Sequence, residues 1–109
     1  MYTKKQLKNS NVPKVSIIIL NYNAGDLLLD CVNSVLKSTY KNFKILVVDN
    51  HSSDNSHLNC KNKFPEIDLI INKENLGYCE GNNTGIRYTD SELIAILNPD
   101  TIVEPNWLD

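Results

Sequence analysis

Four short runs of apolar residues, rich in β-branched side chains, constrain the fold of this chain more than any other feature. Each run is too short for a buried helix and suits a strand that is covered on both faces of a parallel sheet. The runs are Val15–Leu20, Lys44–Val48, Ile67–Ile71 and Leu93–Leu97. Segments with helical character separate them. The order β-α-β-α-β-α-β implies a parallel sheet with right-handed crossovers.

The first connecting segment, Asp26–Ser38, has the clearest helical pattern. Its apolar residues recur at the spacing of one helix face, and they are Leu27, Leu28, Cys31, Val32, Val35 and Leu36. We expect a weaker helix over Asp54–Lys63, capped by Ser53 or Asp54 and anchored by Leu58 and Phe64. A third helix is expected over Tyr78–Tyr88.

Length and composition indicate one ordinary globular domain. The chain has 109 residues, is 41% hydrophobic and carries a net charge of -2, so no nucleic-acid partner is indicated. The odd cysteine count, Cys31, Cys60 and Cys79, argues against a disulfide framework and for a reducing compartment. No apolar run approaches the roughly 18 residues of a membrane span, and residues 1–13 form a polar, poorly ordered leader without a signal-peptide centre. We therefore expect a cytoplasmic location, with membrane association only through sequence outside this chain.

Residues 101–109 have no recognisable sheet partner. The chain ends within what reads as a new element, Pro105–Leu108. We therefore expect residues 14–109 to form part of a larger domain.

Asparagine or aspartate follows every predicted strand. The segments are Asn21–Asn23, Asp49–Asp54, Asn72–Gly77 and Asn98–Thr101. In an open parallel sheet, ligands bind beyond the carboxyl ends of the strands, so these segments predict a ligand-binding edge. The alternative is turn formation alone, since both residue types are common in turns.

Two aspartates at this edge have two interpretations each. Asp49 ends a buried strand, where a carboxylate needs a partner, and it could accept hydrogen bonds from a base or ribose or cap its own loop. Asp100 follows Asn98 and Pro99, and this kink could present a carboxylate to a divalent cation or be an ordinary turn.

Three glycines, Gly77, Gly81 and Gly85, recur every four residues and would share one helix face. This spacing favours close approach of the sheet or of a nucleotide, unless the segment is partly loop. The spacing is not that of the dinucleotide fingerprint, and there is no P-loop lysine. His51 is interpreted as a loop residue.

With these residues placed, the chain resembles the family 2 glycosyltransferases, which have the GT-A fold. Val15–Asn23 is similar to their first strand and base-contacting turn, and Ile45–Ser56 to the second strand with its base-recognising aspartate. Asn75–Ile86 is similar to the family's N-x-G-x3-G-x-N-x-G segment. Leu97–Thr101 looks like the N-x-D variant of its D-x-D metal motif. The motifs stand in the family's order, and the resemblance runs from Val15 to Asp109.

The resemblance implies an α/β fold, the Rossmann-like nucleotide-binding half of a GT-A domain, truncated, with a mainly parallel sheet and helices on both faces. The acceptor half would be absent. It also implies a set of residues that contact or shape the nucleotide-sugar site: Asn21, Asn23, Asp49, Asn50, Ser52, Ser53, Asp54, Asn75, Gly77, Asn83 and Asn98. Asp100 would bind Mg²⁺ or Mn²⁺ through the donor diphosphate. Asn98 stands where many relatives have a second aspartate, so Asp100 would be the main ligand.

The implied reaction is metal-dependent, inverting transfer of a sugar from a UDP- or dTDP-sugar to a glycan or lipid-linked acceptor of cell-surface polysaccharide synthesis. The form of the metal motif points to the rhamnosyltransferase-like branch. The catalytic base would lie beyond Asp109, so we expect the isolated chain not to turn over.

Three alternatives stay open. A Rossmann-type dehydrogenase or nucleotidyltransferase would need a glycine-rich first turn, which Asn21–Gly25 does not supply. A receiver-like domain would need paired acidic residues after the first strand, where asparagines stand. The third alternative is a non-catalytic nucleotide-binding module.

Overall fold

The computed structural model describes residues 2–3 and 13–109, and within them the chain forms one sheet flanked by helices. The elements in chain order are β1 Tyr2–Thr3, β2 Val15–Asn21, α1 Asp26–Leu36, β3 Phe43–Asp49, α2 Ser56–Lys63, β4 Asp68–Ile71, α3 Gly77–Tyr88 and β5 Leu93–Leu97. The four predicted strands and three predicted helices are all present. The predicted α/β fold with a mainly parallel sheet is confirmed.

The strand order across the sheet is β1-β5-β2-β3-β4. From β2 the chain runs outward through β3 to β4 and then returns to place β5 on the other side of β2. All pairings among β2, β3, β4 and β5 are parallel. The order therefore reverses between β2 and β5, and a crevice for ligands is expected outside their carboxyl ends.

Both faces of the sheet are covered, because side chains along β2 alternate between two cores. Ile17 and Ile19 pack in a cluster with residues of α1 and α2, and Ile18 and Leu20 pack in a second cluster with Ile86 of α3. These β2 residues are at most 9% exposed. The near-continuous apolar character of the run follows from this two-sided burial.

Cys31 on α1 and Cys60 on α2 belong to the first cluster and have no exposed surface. Burial raises the pKa of each thiol to about 11. Both thiols are therefore protonated at neutral pH and act as small apolar side chains.

Two predicted anchors are wrong, and the N-cap position of α2 is not at a predicted residue. Leu27 and Leu58 are 52% and 44% exposed, because the buried faces of their helices are centred one residue away, on Leu28 and on His57. Asn55 occupies the N-cap position with φ 62° and forms no side-chain cap, whereas the predicted Asp54 accepts the N–H of Ser56, the first helix residue, at 2.9 Å. Pattern alone locates a helix face only to within about one residue, or about 100° of rotation.

The two ends of the described chain both contact the domain. Tyr2 and Thr3 pair antiparallel with Ile94 and Leu93 of β5, so the prediction of a poorly ordered leader is wrong at these two residues. The rest of the leader, residues 1 and 4–12, lies outside the described residues.

The segment after β5 forms no strand and packs along α1 instead. Val103 donates its backbone N–H to Ser34 Oγ at 3.2 Å, and the Trp107 indole donates to Ser38 Oγ at 2.8 Å. Thr39 donates its backbone N–H to the Pro105 carbonyl at 2.8 Å. Ser34 on α1, and Ser38 and Thr39 just after it, therefore anchor the chain that follows the predicted metal residue.

Two of the three spaced glycines have the steric role that the sequence suggested. A Cβ on Gly85 would lie 2.8 Å from Ile18 Cγ2 and 3.0 Å from Val48 Cγ2, and one on Gly81 would lie 2.6 Å from Leu20 Cδ1. Close approach of α3 to the sheet thus explains both residues. Gly77 differs, because it has open space around it and a φ of +82°, a conformation that favours glycine.

Candidate functional site

An open cleft lies at the carboxyl edge of the sheet, where the strand order reverses. Its volume of about 310 Å³ is at the lower end of the range for small-molecule sites. The lining residues come from the ends of β2, β3 and β5 and from the start of α3, and they are Leu20, Tyr22, Asn50, Asn75, Gly77, Tyr78, Asn98 and Pro99. Four of these are predicted site residues: Asn50, Asn75, Gly77 and Asn98.

Asp49 lies behind this cleft at the centre of a buried polar network. The register of β2 and β3 sets Asn21 beside Asp49, and Asn21 Nδ2 donates to Asp49 Oδ1 at 2.8 Å. Ser52 donates its hydroxyl to Oδ1 at 2.7 Å and its backbone N–H to Oδ2 at 2.8 Å. Asp49 has no exposed surface. The carboxylate therefore caps its own loop, which was one of its two interpretations.

Two further residues complete this network. Ser56 Oγ accepts a second hydrogen bond from Asn21 Nδ2 at 2.8 Å. His57 is 6% exposed and places Nδ1 3.5 Å from Asp49 Oδ1. Neither residue was predicted for the site. Both lie at the start of α2, whose weak apolar pattern does not indicate which side chains turn toward Asp49.

Asn23 and Asp54 connect the loop after β2 to the loop after β3. Asn23 Oδ1 accepts backbone N–H bonds from Ser53 and Asp54 at 2.8 and 3.2 Å. In return, Asp54 Oδ2 accepts the Gly25 N–H at 3.0 Å and Oδ1 accepts from Ser56. Desolvation opposes ionisation of Asp54, but the hydrogen bonds from Ser56 and Gly25 outweigh it and lower its pKa. These residues hold the two loops together at the carboxyl edge of the sheet, outside the cleft lining.

Asn50 joins β3 to the loop before α3. Its Nδ2 donates to the Gly77 carbonyl at 3.1 Å, and its Oδ1 accepts from Asn72 Nδ2 at 2.9 Å. Asn75 Oδ1 accepts the Gly77 N–H at 2.9 Å within the same loop. One buried amide thus holds the loop that forms one side of the cleft.

Replacing Asn50 with alanine should release this loop. We expect the backbone amides of residues 72–77 to exchange with solvent about tenfold faster, because Asn72 and Gly77 lose the amide that joins them. Hydrogen exchange measured by mass spectrometry would test this. Asn106→Ala, at an exposed position outside the cleft, is the control. Unchanged exchange in Asn50→Ala would show that the amide does not hold the loop.

Asn83 and Asp100 are among the predicted residues that lie outside the cleft lining. Asn83 is exposed on α3 and donates to Glu80 Oε1 at 3.1 Å, whereas its neighbour Asn82 is buried. Asp100 is exposed one residue beyond Pro99, which lines the cleft. The cleft also includes Tyr22 and Tyr78, which the sequence analysis missed and which are 52% and 60% exposed. The sequence signals are weak: Tyr22 stands between two asparagines at a strand end, and Tyr78 follows the glycine that begins α3.

The oxygen donors at this edge fit a divalent cation held through a single carboxylate. Asn98 and Asp100 are both exposed and stand two residues apart. Across residues 2–3 and 13–109, no group of three or more acidic, histidine or cysteine side chains comes together as a metal site. Mg²⁺ often takes one or two protein carboxylates and completes its shell with phosphate oxygens and water. Asp100 would be the carboxylate here, with Asn98 beside it.

Among the helices of the part of the chain that the structure describes, none is long and apolar enough to cross a membrane.

The sequence of this chain matches a known protein family and curated relatives. The family model described as Glycosyl transferase family 2 matches residues 16–109. The chain is 34% identical over 98 residues to glycosyltransferase GlyG of Streptococcus pneumoniae, a match that covers 87% of the chain and 33% of GlyG. It is 37% identical over 97 residues to WfgD of Escherichia coli, a UDP-Glc:alpha-D-GlcNAc-diphosphoundecaprenol beta-1,3-glucosyltransferase, covering 87% of the chain and 38% of WfgD. The chain thus spans about a third of the length of these curated relatives.

Solved structures share the fold. Residues 1–349 of S. aureus TarS in complex with UDP superpose with a TM-score of 0.80 at 22% identity, over 87% of this chain and 30% of that one. A mannosyltransferase from Pyrobaculum calidifontis, PcManGT, in complex with GDP-Man and Mn²⁺, superposes with a TM-score of 0.71 at 20% identity, over 92% and 31%. Identities this low show the fold alone.

Proposed function

Since this chain belongs to glycosyl transferase family 2, we propose that it forms the part of a glycosyltransferase that binds the nucleotide-sugar donor. The observation that carries the proposal is the polar and aromatic cleft at the point where the strand order reverses. The curated relatives are about three times as long as the match. The proposal therefore assigns donor binding to these residues and acceptor binding to sequence that they do not include.

The cleft offers contacts suited to a nucleotide. Tyr22 and Tyr78 present exposed rings against which a base or sugar can pack. Asn75 and Asn98 are exposed at the same cleft and supply amide donors and acceptors for ribose and phosphate oxygens. We propose these four side chains as the first contact surface of the donor.

Asp49 and Asn21 are proposed to recognise the base from behind this surface. Asp49 Oδ1 already accepts two hydrogen bonds, whereas Oδ2 accepts one, from Ser52. A carboxylate has room for about four such bonds, so Oδ2 can accept one base N–H. Because Asp49 is fully buried, a base reaches it only if the Ser52 loop moves aside. A single free acceptor position suits uracil or thymine, which have one such N–H, and supports a UDP- or dTDP-sugar.

A divalent cation, when bound, would neutralise the charge that develops on the leaving diphosphate. We propose that Asp100 holds it and that Asn98 orients a phosphate oxygen beside it. The complex of PcManGT contains Mn²⁺, which supports Mn²⁺ or Mg²⁺ in this role. Asn83 is exposed and donates to Glu80 outside the cleft lining, so it is not proposed as a donor contact.

The rest of the reaction rests on family membership. We propose inverting transfer to a glycan or lipid-linked acceptor, the latter supported by the diphosphoundecaprenol acceptor in the name of WfgD. The base that activates the acceptor hydroxyl would be an acidic residue beyond Asp109. We propose that the reaction takes place in the cytoplasm, at the inner face of the membrane where the acceptor is lipid-linked.

Calorimetric titration with UDP and dTDP, with and without Mn²⁺, tests donor binding. We expect Mn²⁺ to tighten binding by at least about tenfold, and Asp100→Ala to remove that gain, since the variant lacks the carboxylate of the metal site. Asp90→Ala removes an exposed carboxylate just before β5, at the opposite edge of the sheet, and should leave the gain intact. Equal binding with and without Mn²⁺ would remove Asp100 from its role, and no binding to the folded chain would contradict the proposed function.

A further inference from the structure

His57 is the buried histidine of the two in this chain, and its ring faces the network behind the cleft. We propose that His57 is a positioning residue: its Nδ1 carries a proton directed at Asp49 Oδ1 and holds that carboxylate in the orientation that shapes the donor cleft. The inference rests on the proposed function, because Asp49 acts here through donor binding.

The geometry leaves the two groups facing each other. His57 Nδ1 lies 3.5 Å from Asp49 Oδ1, and the side chains are 7% and 0% exposed. Within the described residues, Nδ1 has no hydrogen-bond partner, and the ion pairs give Asp49 no lysine or arginine. His57 is therefore the ring whose nitrogen faces this fully buried carboxylate.

Burial makes this pairing favourable for both groups. A carboxylate removed from water needs donors on its oxygens, and a ring nitrogen buried without a partner is costly as well. A proton on Nδ1 gives this nitrogen an acceptor and adds a third donor around Oδ1, beside Asn21 and Ser52. A shift of a few tenths of an ångström would close the gap to the usual range of about 2.7–3.2 Å. The same proton on Nε2 would leave two acceptors, Nδ1 and Oδ1, facing each other.

His57 affects the shape of the cleft by holding Asp49. Its Oδ1 and Oδ2 hold both donors of Ser52, and Ser52 Oγ accepts the Asn23 N–H at 2.9 Å. Asn50, which holds the loop before α3, is the next residue after Asp49. The loss of His57 should therefore weaken donor binding without removing any side chain that lines the cleft.

Two substitutions separate positioning from space filling. His57→Leu keeps most of the ring volume and removes the N–H, whereas His57→Asn is smaller but keeps an N–H near the place of Nδ1. We expect His57→Leu to weaken UDP binding about tenfold and His57→Asn to retain most of the affinity. A space-filling role predicts the reverse order. His51→Asn is the control, because His51 is exposed with φ 72° and asparagine tolerates that conformation.

A spectroscopic measurement on the wild-type chain decides the pairing even if His57→Leu does not fold. In ¹⁵N-labelled protein, long-range ¹H–¹⁵N spectra should show His57 protonated at Nδ1, and the Nδ1 resonance should move in Asp49→Asn while that of His51 stays. An unprotonated Nδ1, or equal UDP affinity in folded wild type and His57→Leu, would overturn the inference. If the wild type binds dTDP and not UDP, the same comparison is made with dTDP. Absence of binding of both nucleotides would instead contradict the proposed function, and the spectrum alone would then test the His57–Asp49 pair.

Discussion

Asp49→Ala is expected to destabilise the protein by about 3 kcal/mol and to abolish nucleotide binding. The substitution removes the acceptor of two Ser52 donors and of Asn21 Nδ2, all at 2.7–2.8 Å. A buried donor left unsatisfied costs roughly 1–3 kcal/mol, and here several lose their partner together. Urea unfolding followed by circular dichroism would measure the change, with donor binding measured under conditions where the variant is folded.

Matched variants separate the effect of the carboxylate oxygens from the effect of the side-chain volume. Asp49→Asn keeps the shape but replaces one acceptor oxygen by a donor, so we expect a smaller but clear loss of stability, about 1–2 kcal/mol. Asp30→Asn alters an exposed aspartate on α1 and should leave the urea midpoint unchanged. A midpoint for Asp49→Ala equal to that of the wild type would show that the network contributes little.

Gly85→Ala is the second substitution with a large expected effect. Alanine favours an isolated helix by about 1 kcal/mol over glycine, so helix propensity alone predicts stabilisation. The added Cβ would instead lie 2.8 Å from Ile18 Cγ2 and 3.0 Å from Val48 Cγ2, inside the close-packed core. Both neighbours are stiff, branched residues of central strands, so we expect a net loss of about 2 kcal/mol.

The matched control is Asn83→Ala, two residues away on the exposed side of α3. There the gain in helix propensity has no steric opposition, and a neutral or slightly raised urea midpoint is expected. Gly81→Ala should be milder than Gly85→Ala. Its nearest contact at 2.6 Å is the terminal Cδ1 of Leu20, which can rotate. Stabilisation by Gly85→Ala would mean that α3 lies farther from the sheet than this structure shows.

The strands and helices follow from local pattern. Val15–Asn21 and Phe43–Asp49 read as buried strands because both of their faces are covered, and each extends one residue beyond its predicted carboxyl end. The two extra residues, Asn21 and Asp49, are polar, and they stay in the ladder because their side chains bond to each other. Hydrophobic periodicity does not predict such a pairing of polar side chains.

The location of the site at one edge of the sheet was predictable from the sequence. The arrangement of its side chains was not. Polar residues after each strand had to converge, because parallel strands end on one side of a sheet. The strand register and the loop contacts decide which of these residues hold loops together and which line the open cleft. Asn23 and Asp54 hold two loops together, whereas Asn75 and Asn98 stand in the cleft. Asparagine and aspartate residues that all follow strands thus have different surroundings.

The sequence by itself determined the order of strands and helices, the polar edge and the family, because each is written in short-range patterns of side-chain type. Only the tertiary structure decided that His57 faces Asp49, that Tyr2–Thr3 pairs with β5 and that Trp107 bonds to Ser38. These contacts join residues distant in the chain or depend on the rotation of a helix about its axis. Their free energy arises from burial and from matched donors and acceptors, which exist only once the sheet has assembled.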